Sequence, residues 1–191
     1  MLKNKKETIL TAAKEAFSKY GYKATTIDQI AKIANVGKGT IYTTFKNKDD
    51  LFNEVLHDLL NEVQDIFHRS ISEGKDLIEN ISMALKELLL FREQHQLLVK
   101  LQDEMTYFAS ESSKRALKEF DQVIVRLIDH YLQQAEQRKK IVSPHRHVTA
   151  YLMYKTYMML VSDYEEQYEP LQQEEIITIF KSHFIHTFEI K

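Results

Sequence analysis

The chain contains no cysteine, and only 4 of its 191 residues are glycine and 2 are proline. Without cysteine there is no disulfide and no thiolate metal site, a usage that suits a reducing cytoplasm. So few turn residues argue against a sheet-rich fold and for long helices with short connections. No apolar run approaches the roughly 18 residues of a membrane span. The N-terminal MLKNKKETIL leads directly into an amphipathic helix, with neither a signal-peptide core nor a small-residue cleavage site. A glycine-rich phosphate loop and a nucleophile elbow are also missing, so an enzyme is not expected. The 8 histidines all lie beyond residue 50. His183 and His186 could share a helix face with Glu189, and His145 and His147 sit two apart, but neither set has zinc-site spacing. No metal and no cofactor are expected.

What is present is apolar and charged in helical proportion: 43% hydrophobic and 28% charged residues, enough to bury a core. The length suits one domain, or a small head on a larger body. The net charge of −2 conceals an asymmetry. Residues 1–50 hold 10 Lys against 5 Asp and Glu, a balance of +5, and the remainder holds 16 Lys and Arg against 23 Asp and Glu, a balance of −7. A basic head on an acidic body fits a chain that meets phosphates with one end only.

The head reads as three helices. Ile9, Ala12, Ala13, Ala16, Phe17 and Tyr20 recur at three- and four-residue spacing, predicting a helix over about 4–20 that Gly21 stops. Thr26 and Gln29 have capping-box spacing, so a second helix begins there and buries Ile27, Ile30, Ala31 and Ala34. Asn35-Val36-Gly37 supplies a tight turn. A short third helix, about Lys38 to Phe45, turns Ile41 and Phe45 inward. Lys38, Thr40, Thr43 and Thr44 then lie on or near its outer face, with Tyr42 at the edge. Small hydroxyls, a cation and a phenol suit phosphate oxygens, base edges and a thymine methyl. Gly39 costs the helix roughly 1 kcal/mol in propensity, which close approach to a partner would explain, and the helix N-terminus adds amide donors for a phosphate. Any one of these residues could merely solvate a small bundle. Cap, turn, inward apolar residues and outward polar face together have helix-turn-helix spacing, the shape of a head that reads double-stranded DNA.

The stretch AFSKYGYKATTIDQIAKIANVGKGTIYTTFKNKDDLF resembles the N-terminal signature of TetR-type (TetR/AcrR) transcriptional regulators. The likeness runs from Ile9 to Phe52, about a quarter of the chain. It implies an all-α homodimer that represses transcription from operator DNA until a small molecule binds the C-terminal body. It further implies that Thr26 meets a phosphate and that Lys38, Thr40 and Tyr42 contact the DNA backbone. Thr43 falls where the family often reads a base, with Thr44 beside it, and Lys48 would hold another phosphate. The sequence departs from the pattern at two places: Gly37 stands where Ser or another capping residue is common, and Thr44 replaces a bulkier aromatic or His.

The expected division is a head over 1–47 and a ligand-binding and dimerisation body over 48–191. Asn47 caps a fourth helix to about Ser70, which no Gly or Pro separates from the head and which can act as a mechanical link or simply pack. Further helices are expected over about 76–92 and 95–105. Another is capped by Ser112-Ser113, and one begins at Ser143-Pro144. The last is striped by Ile176, Ile177, Phe180, Phe184 and Phe188. The family resemblance assigns the final two helices to a four-helix dimer interface, although the same stripes would serve an internal core. Met83, Phe91, Leu98, Met105, Tyr107, Phe108, Phe120 and Tyr151 could line a ligand cavity or belong to ordinary core. Arg92, Lys100 and Arg126 are the only cations to consider as a handle, so an apolar or amphipathic effector is favoured. The alternatives are an activator or partner-controlled regulator without a pocket, and a helical enzyme or scaffold whose head no longer reads DNA.

Overall fold

The computed structural model describes residues 2–92, 110–138, 141–142, 144–184 and 188–190. Among them the order is α1 (Leu2–Ala24), α2 (Ile27–Ile33), α3 (Lys38–Thr44), α4 (Lys48–Ser70), α5 (Leu77–Leu89), α6 (Glu111–Gln137), β1 (Ile141–Val142), α7 (Arg146–Val161), α8 (Gln173–Phe184) and β2 (Glu189–Ile190). The expected helix over 95–105 lies outside the described residues. The all-α architecture holds but for one antiparallel ladder, in which Ile141 pairs with Ile190 and Val142 with Glu189. Two residues per strand are too few for alternation to announce them in the sequence. The chain divides into two compact units, Met1–Leu60 with Leu97–Phe120 and Asn61–Gln96 with Asp121–Lys191.

The first unit is built around α1. Its inward row, Ile9, Ala12, Ala13, Ala16 and Phe17, is 0–3% exposed. Gly21 then breaks the helix at φ 76°, ψ 170°, a combination essentially confined to glycine. The break changes the phase of the chain. Tyr20, expected in the apolar row, is therefore exposed, and Tyr22 is buried against Phe17 and Phe52 with ring centroids 5.7 and 5.2 Å away. The carbonyls left by the break need donors. The hydroxyl of buried Thr25 supplies one, 2.6 Å from Gly21 O and 3.1 Å from Ala16 O. Ile30, Ile41, Phe45, Leu51, Phe52 and Val55 complete this core at 0–2% exposure. Burying each such side chain stabilises by roughly 1.5–3 kcal/mol.

At the start of α4, Asn47 Oδ1 accepts from Asp50 N–H at 2.8 Å, and Asp50 Oδ2 accepts from Lys46 N–H at 2.9 Å. The start of α6 corrects the sequence reading: Ser110, not Ser112-Ser113, is the cap, its hydroxyl accepting from Ser113 N–H at 3.2 Å. Ser113 is instead fully buried, its hydroxyl oxygen accepting from the Ser110 hydroxyl at 3.2 Å.

In the second unit Asp76 caps α5, accepting from Glu79 N–H at 2.7 Å. That helix ends at Leu89, before Arg92. Buried Asn80 exchanges two hydrogen bonds with the Ser72 backbone, at 2.9 and 3.0 Å, and so pins the turn ahead of α5. Charged clasps join α6 to α7. Arg146 reaches Asp129 at 2.9 Å and Glu136 at 2.7 Å, and Asp121 accepts from Tyr154 at 2.6 Å and Lys155 at 2.7 Å. Helix α7 begins at Arg146 with His145 as its cap residue and Pro144 in the preceding turn, so proline does not hold the first helical position. Ser143 lies outside the described residues. The α8 row Ile176, Ile177, Phe180 and Phe184 is buried, and Phe188 is buried beyond the helix end.

Candidate DNA-binding surface

Helix α2 starts with the reciprocal cap that its spacing predicts. Thr26 Oγ1 accepts from Gln29 N–H at 3.3 Å, and Gln29 Oε1 accepts from Thr26 N–H at 2.7 Å. The helix stops in a Schellman arrangement, Asn35 N–H to Lys32 O at 3.3 Å and Val36 N–H to Ala31 O at 3.0 Å. Asn35 takes the left-handed conformation that this stop requires, at φ 52°. Gly37 is extended, at φ −71° and ψ 145°, and precedes α3 with no side-chain cap. The angle between α2 and α3 thus depends on one strained residue. Asn35→Val should cost about 1–2 kcal/mol of head stability, the penalty of left-handed backbone for a branched residue, while Asn35→Gly should be tolerated. Thermal unfolding of the two variants measures the difference.

Helix α3 turns Ile41 and Phe45 into the core at 0% and 2% exposure. At 100° per residue, Gly39 and Thr43 then lie one turn apart in the middle of the opposite face. Tyr42 is 49% exposed on one flank, Thr44 is exposed on the other, and Thr40 is half-buried. The Thr43 and Thr44 hydroxyls both donate to Thr40 O, at 2.7 and 3.3 Å, which leaves their oxygen lone pairs and methyl groups outward. A Cβ built on Gly39 meets no atom within 4 Å. Its backbone is ordinary right-handed helix, so the protein's own packing gives no reason for glycine there.

The two lysines of the surface are engaged by the protein itself. Lys38 Nζ lies 2.7 Å from Asp28 Oδ2, an exposed pair linking the first turns of α2 and α3. That bond holds the Lys38 ammonium above its usual range. Lys48 Nζ donates to the carbonyls of Tyr22 at 2.8 Å and Thr25 at 3.0 Å, and lies 4.3 Å from the Tyr22 ring centre. The Tyr22 hydroxyl donates to Asp49, and burial first, then that bond, holds the phenol well above its usual range. Lys48 and Asp49 thereby tie the start of α4 to the end of α1 and to the peptide just before Thr26. Sequence reading missed this clasp, because its partners are more than twenty residues apart and backbone carbonyls leave no signature. Lys48→Ala should lower head stability by about 1–2 kcal/mol, since carbonyls at the α1 break lose a charged donor. A denaturant titration that leaves the midpoint unmoved would overturn this.

The candidates for a ligand cavity are more scattered. Met83 on α5 and Phe91 beyond it are half-buried, Phe120 is buried in the first unit, and Tyr151 is 48% exposed on α7. Leu98, Met105, Tyr107 and Phe108 lie outside the described residues, as does Lys100. Arg126 is exposed. Arg92 pairs with Glu165 and donates to Leu171 O at 2.7 Å, and burial lowers its pKa. Among the described residues no group of three or more His, Asp or Glu could hold a metal ion. No helix among them is long and apolar enough to cross a membrane.

A three-helix head with a short outward-facing third helix, small residues at its centre and lysines at its margins is a helix-turn-helix DNA-binding unit. Residues 9–55 match the family described as bacterial regulatory proteins, tetR family. The HTH-type transcriptional regulator YhgD of Bacillus subtilis is 35% identical over 182 residues, covering 95% of this chain and 95% of that protein. The fatty acid metabolism regulator protein of the same organism is 30% identical over 98 residues, 51% of this chain and 50% of that one. In fold, the chain matches the transcriptional regulator FadR from Bacillus subtilis in complex with stearoyl-CoA, with a TM-score of 0.75 at 20% identity over 91% of this chain and 96% of that one. The chain belongs to the TetR family. It is a DNA-binding transcriptional regulator and not an enzyme, a conclusion that rests on the family.

Proposed function

We propose that the protein is a homodimeric repressor that holds an operator through two copies of its head and is released by a small apolar or amphipathic ligand in its body. Residues 1–47 form the reading head and 48–191 the ligand-binding and dimerisation body. Thr43 reads a base edge or thymine methyl, with Thr44 beside it. Thr26, Lys38, Thr40, Tyr42 and Lys48 position the head on phosphates, and Gly39 lets the helix backbone approach the groove. The observation that carries the DNA half of this reading is the empty space around Gly39 on the outward face of α3. A glycine that costs helix propensity without relieving any internal contact is accounted for by an external one.

The dimer half rests on α7, which carries apolar residues on its outward as well as its inward side, with Lys155 set among the outward ones. Ala150, Met153, Tyr154, Tyr157, Met158 and Val161 face inward, while Val148, Tyr151, Leu152 and Met159 are 47–53% exposed along the other side. Exposed apolar side chains gathered in one row suit an interaction surface, and a second copy of the same helix would cover them. Two-fold symmetry also suits two half-sites on DNA. For the ligand, Met83, Phe91, Leu98, Met105, Tyr107, Phe108, Phe120 and Tyr151 remain the candidate lining. Long-chain acyl compounds are the first class to try, because FadR, which shares the fold, is recorded with stearoyl-CoA.

Selection of random duplex DNA by the purified full chain, followed by binding to the selected site across a salt series, tests the reading. A palindromic site with steeply salt-dependent affinity is expected, as is release from it by a long-chain acyl compound. Failure to enrich any sequence at low salt would sink the DNA-reading role. A selected site that no apolar compound weakens would leave a regulator under another control.

A further inference from the structure

Asp28 is the only acidic residue between Thr26 and Lys48, the segment that carries nearly all of the DNA-reading surface. Its carboxylate does not serve the α2 cap, because Thr26 and Gln29 complete that cap between them. The other acids of the head have different duties: Asp49 accepts from Tyr22 and Asp50 from the Lys46 backbone. Glu7 and Glu15 lie on α1. Asp28 instead reaches across the turn to Lys38, and the side chains of the pair are 66% and 50% exposed. The first cation of the recognition helix is therefore already neutralised, on the surface a phosphate has to approach.

We propose that Asp28 is an affinity-limiting residue of the head: it competes with DNA phosphate for Lys38 and so keeps sequence-independent binding weak. The inference rests on the reading of Lys38 as a phosphate contact. Binding requires Lys38 to exchange one oxyanion for another. That exchange leaves an unpaired carboxylate within a Debye length of the DNA, which offsets the phosphate neutralisation that Lys38 provides. Random duplex is held almost wholly by phosphate contacts, whereas an operator also offers base edges. Where both complexes use Lys38 the cost of Asp28 falls on both, and random duplex, with no base contacts to offset it, is left with little binding. An exposed pair is weak enough for this exchange to occur at ordinary ionic strength.

The test compares wild type, Asp28→Asn, Lys38→Met and the double variant, using the full chain, a selected site, a random duplex of equal length and a salt series. Asp28→Asn should tighten both duplexes about three- to tenfold at low salt. It should steepen the log–log salt slope by about 0.9, one phosphate, and lower the operator-to-random ratio or leave it unchanged. In the Lys38→Met background the same change should have little effect. Unchanged or weaker binding by Asp28→Asn overturns the proposal, as does an equal gain without Lys38, which would reduce Asp28 to net charge. Weaker operator binding with tighter random binding also overturns it, and would make Asp28 a reader of a cytosine amine. If Lys38→Met changes nothing even beside Asn at position 28, the phosphate role of Lys38 itself fails. Asp28→Ser serves as a second neutral variant, and thermal unfolding of each variant confirms an intact head.

Discussion

Replacing Gly39 by alanine should make the free protein no less stable and its operator binding roughly ten- to a hundredfold weaker. The two halves of this prediction have separate physical origins. In the free protein, a Cβ at position 39 meets nothing within 4 Å, and the residue has ordinary helical backbone. Alanine therefore improves helix propensity without strain, by up to about 1 kcal/mol. On DNA the same methyl stands in the middle of the outward face, one turn from Thr43, where base edges must come closest. Keeping the helix out by the width of a methyl loosens several contacts together, and losing the equivalent of one good base contact costs about 1–3 kcal/mol. Melting temperature and operator affinity measured on one preparation check both halves. A stabilised variant with unchanged affinity would show that α3 does not approach DNA by this face.

The head was legible in the sequence because its signals are short-ranged. A cap and its N3 partner are three residues apart, an apolar stripe repeats every three or four, and the stop at Asn35 uses atoms within five residues. Helix periodicity and capping fix such features before any tertiary packing is known. The misplaced features share another character. Tyr20 continues the periodic row in the sequence, but the break at Gly21 turns the chain and hands the core position to Tyr22. The expected cap of α6 lies two residues beyond the observed one, because Ser110, Ser112 and Ser113 all offer a capping hydroxyl and only the bond from Ser113 N–H to Ser110 separates them. The clasps of Lys38 on Asp28 and Lys48 on the Tyr22 and Thr25 carbonyls join elements through space. Their existence depends on the angle at which α2 meets α3 and α4 meets α1. For the same reason, exposed lysines read as waiting for phosphate turn out to be held by the protein until something displaces its own oxygens.

Replacing Leu152 by glutamate should convert the protein from dimer to monomer and reduce operator affinity roughly 10²–10⁴-fold. Leu152 is half-exposed on the outward side of α7, in a row with Val148, Tyr151 and Met159. The inward side of the same helix is occupied by Met153, Tyr154 and Tyr157, so the outward row takes no part in the core around them. A carboxylate at position 152 would leave the isolated subunit folded. In a two-fold interface it would be buried at two symmetry-related positions, since each copy presents the same patch. Two like charges taken out of water together are far more costly than the apolar contact they replace. The effect on DNA is larger than the effect on either head. Linking two heads makes the second binding step intramolecular, and that advantage is worth 10²–10⁴ in apparent affinity without any contact being altered. Sedimentation should give one subunit for the variant and two for the wild type, with melting showing a folded chain in both. The residual affinity should be similar for a whole operator and a single half-site. A variant that stays dimeric would move the interface away from this row. A wild type that is itself monomeric would leave α7 in need of another covering partner and the head in need of another explanation for reading paired half-sites.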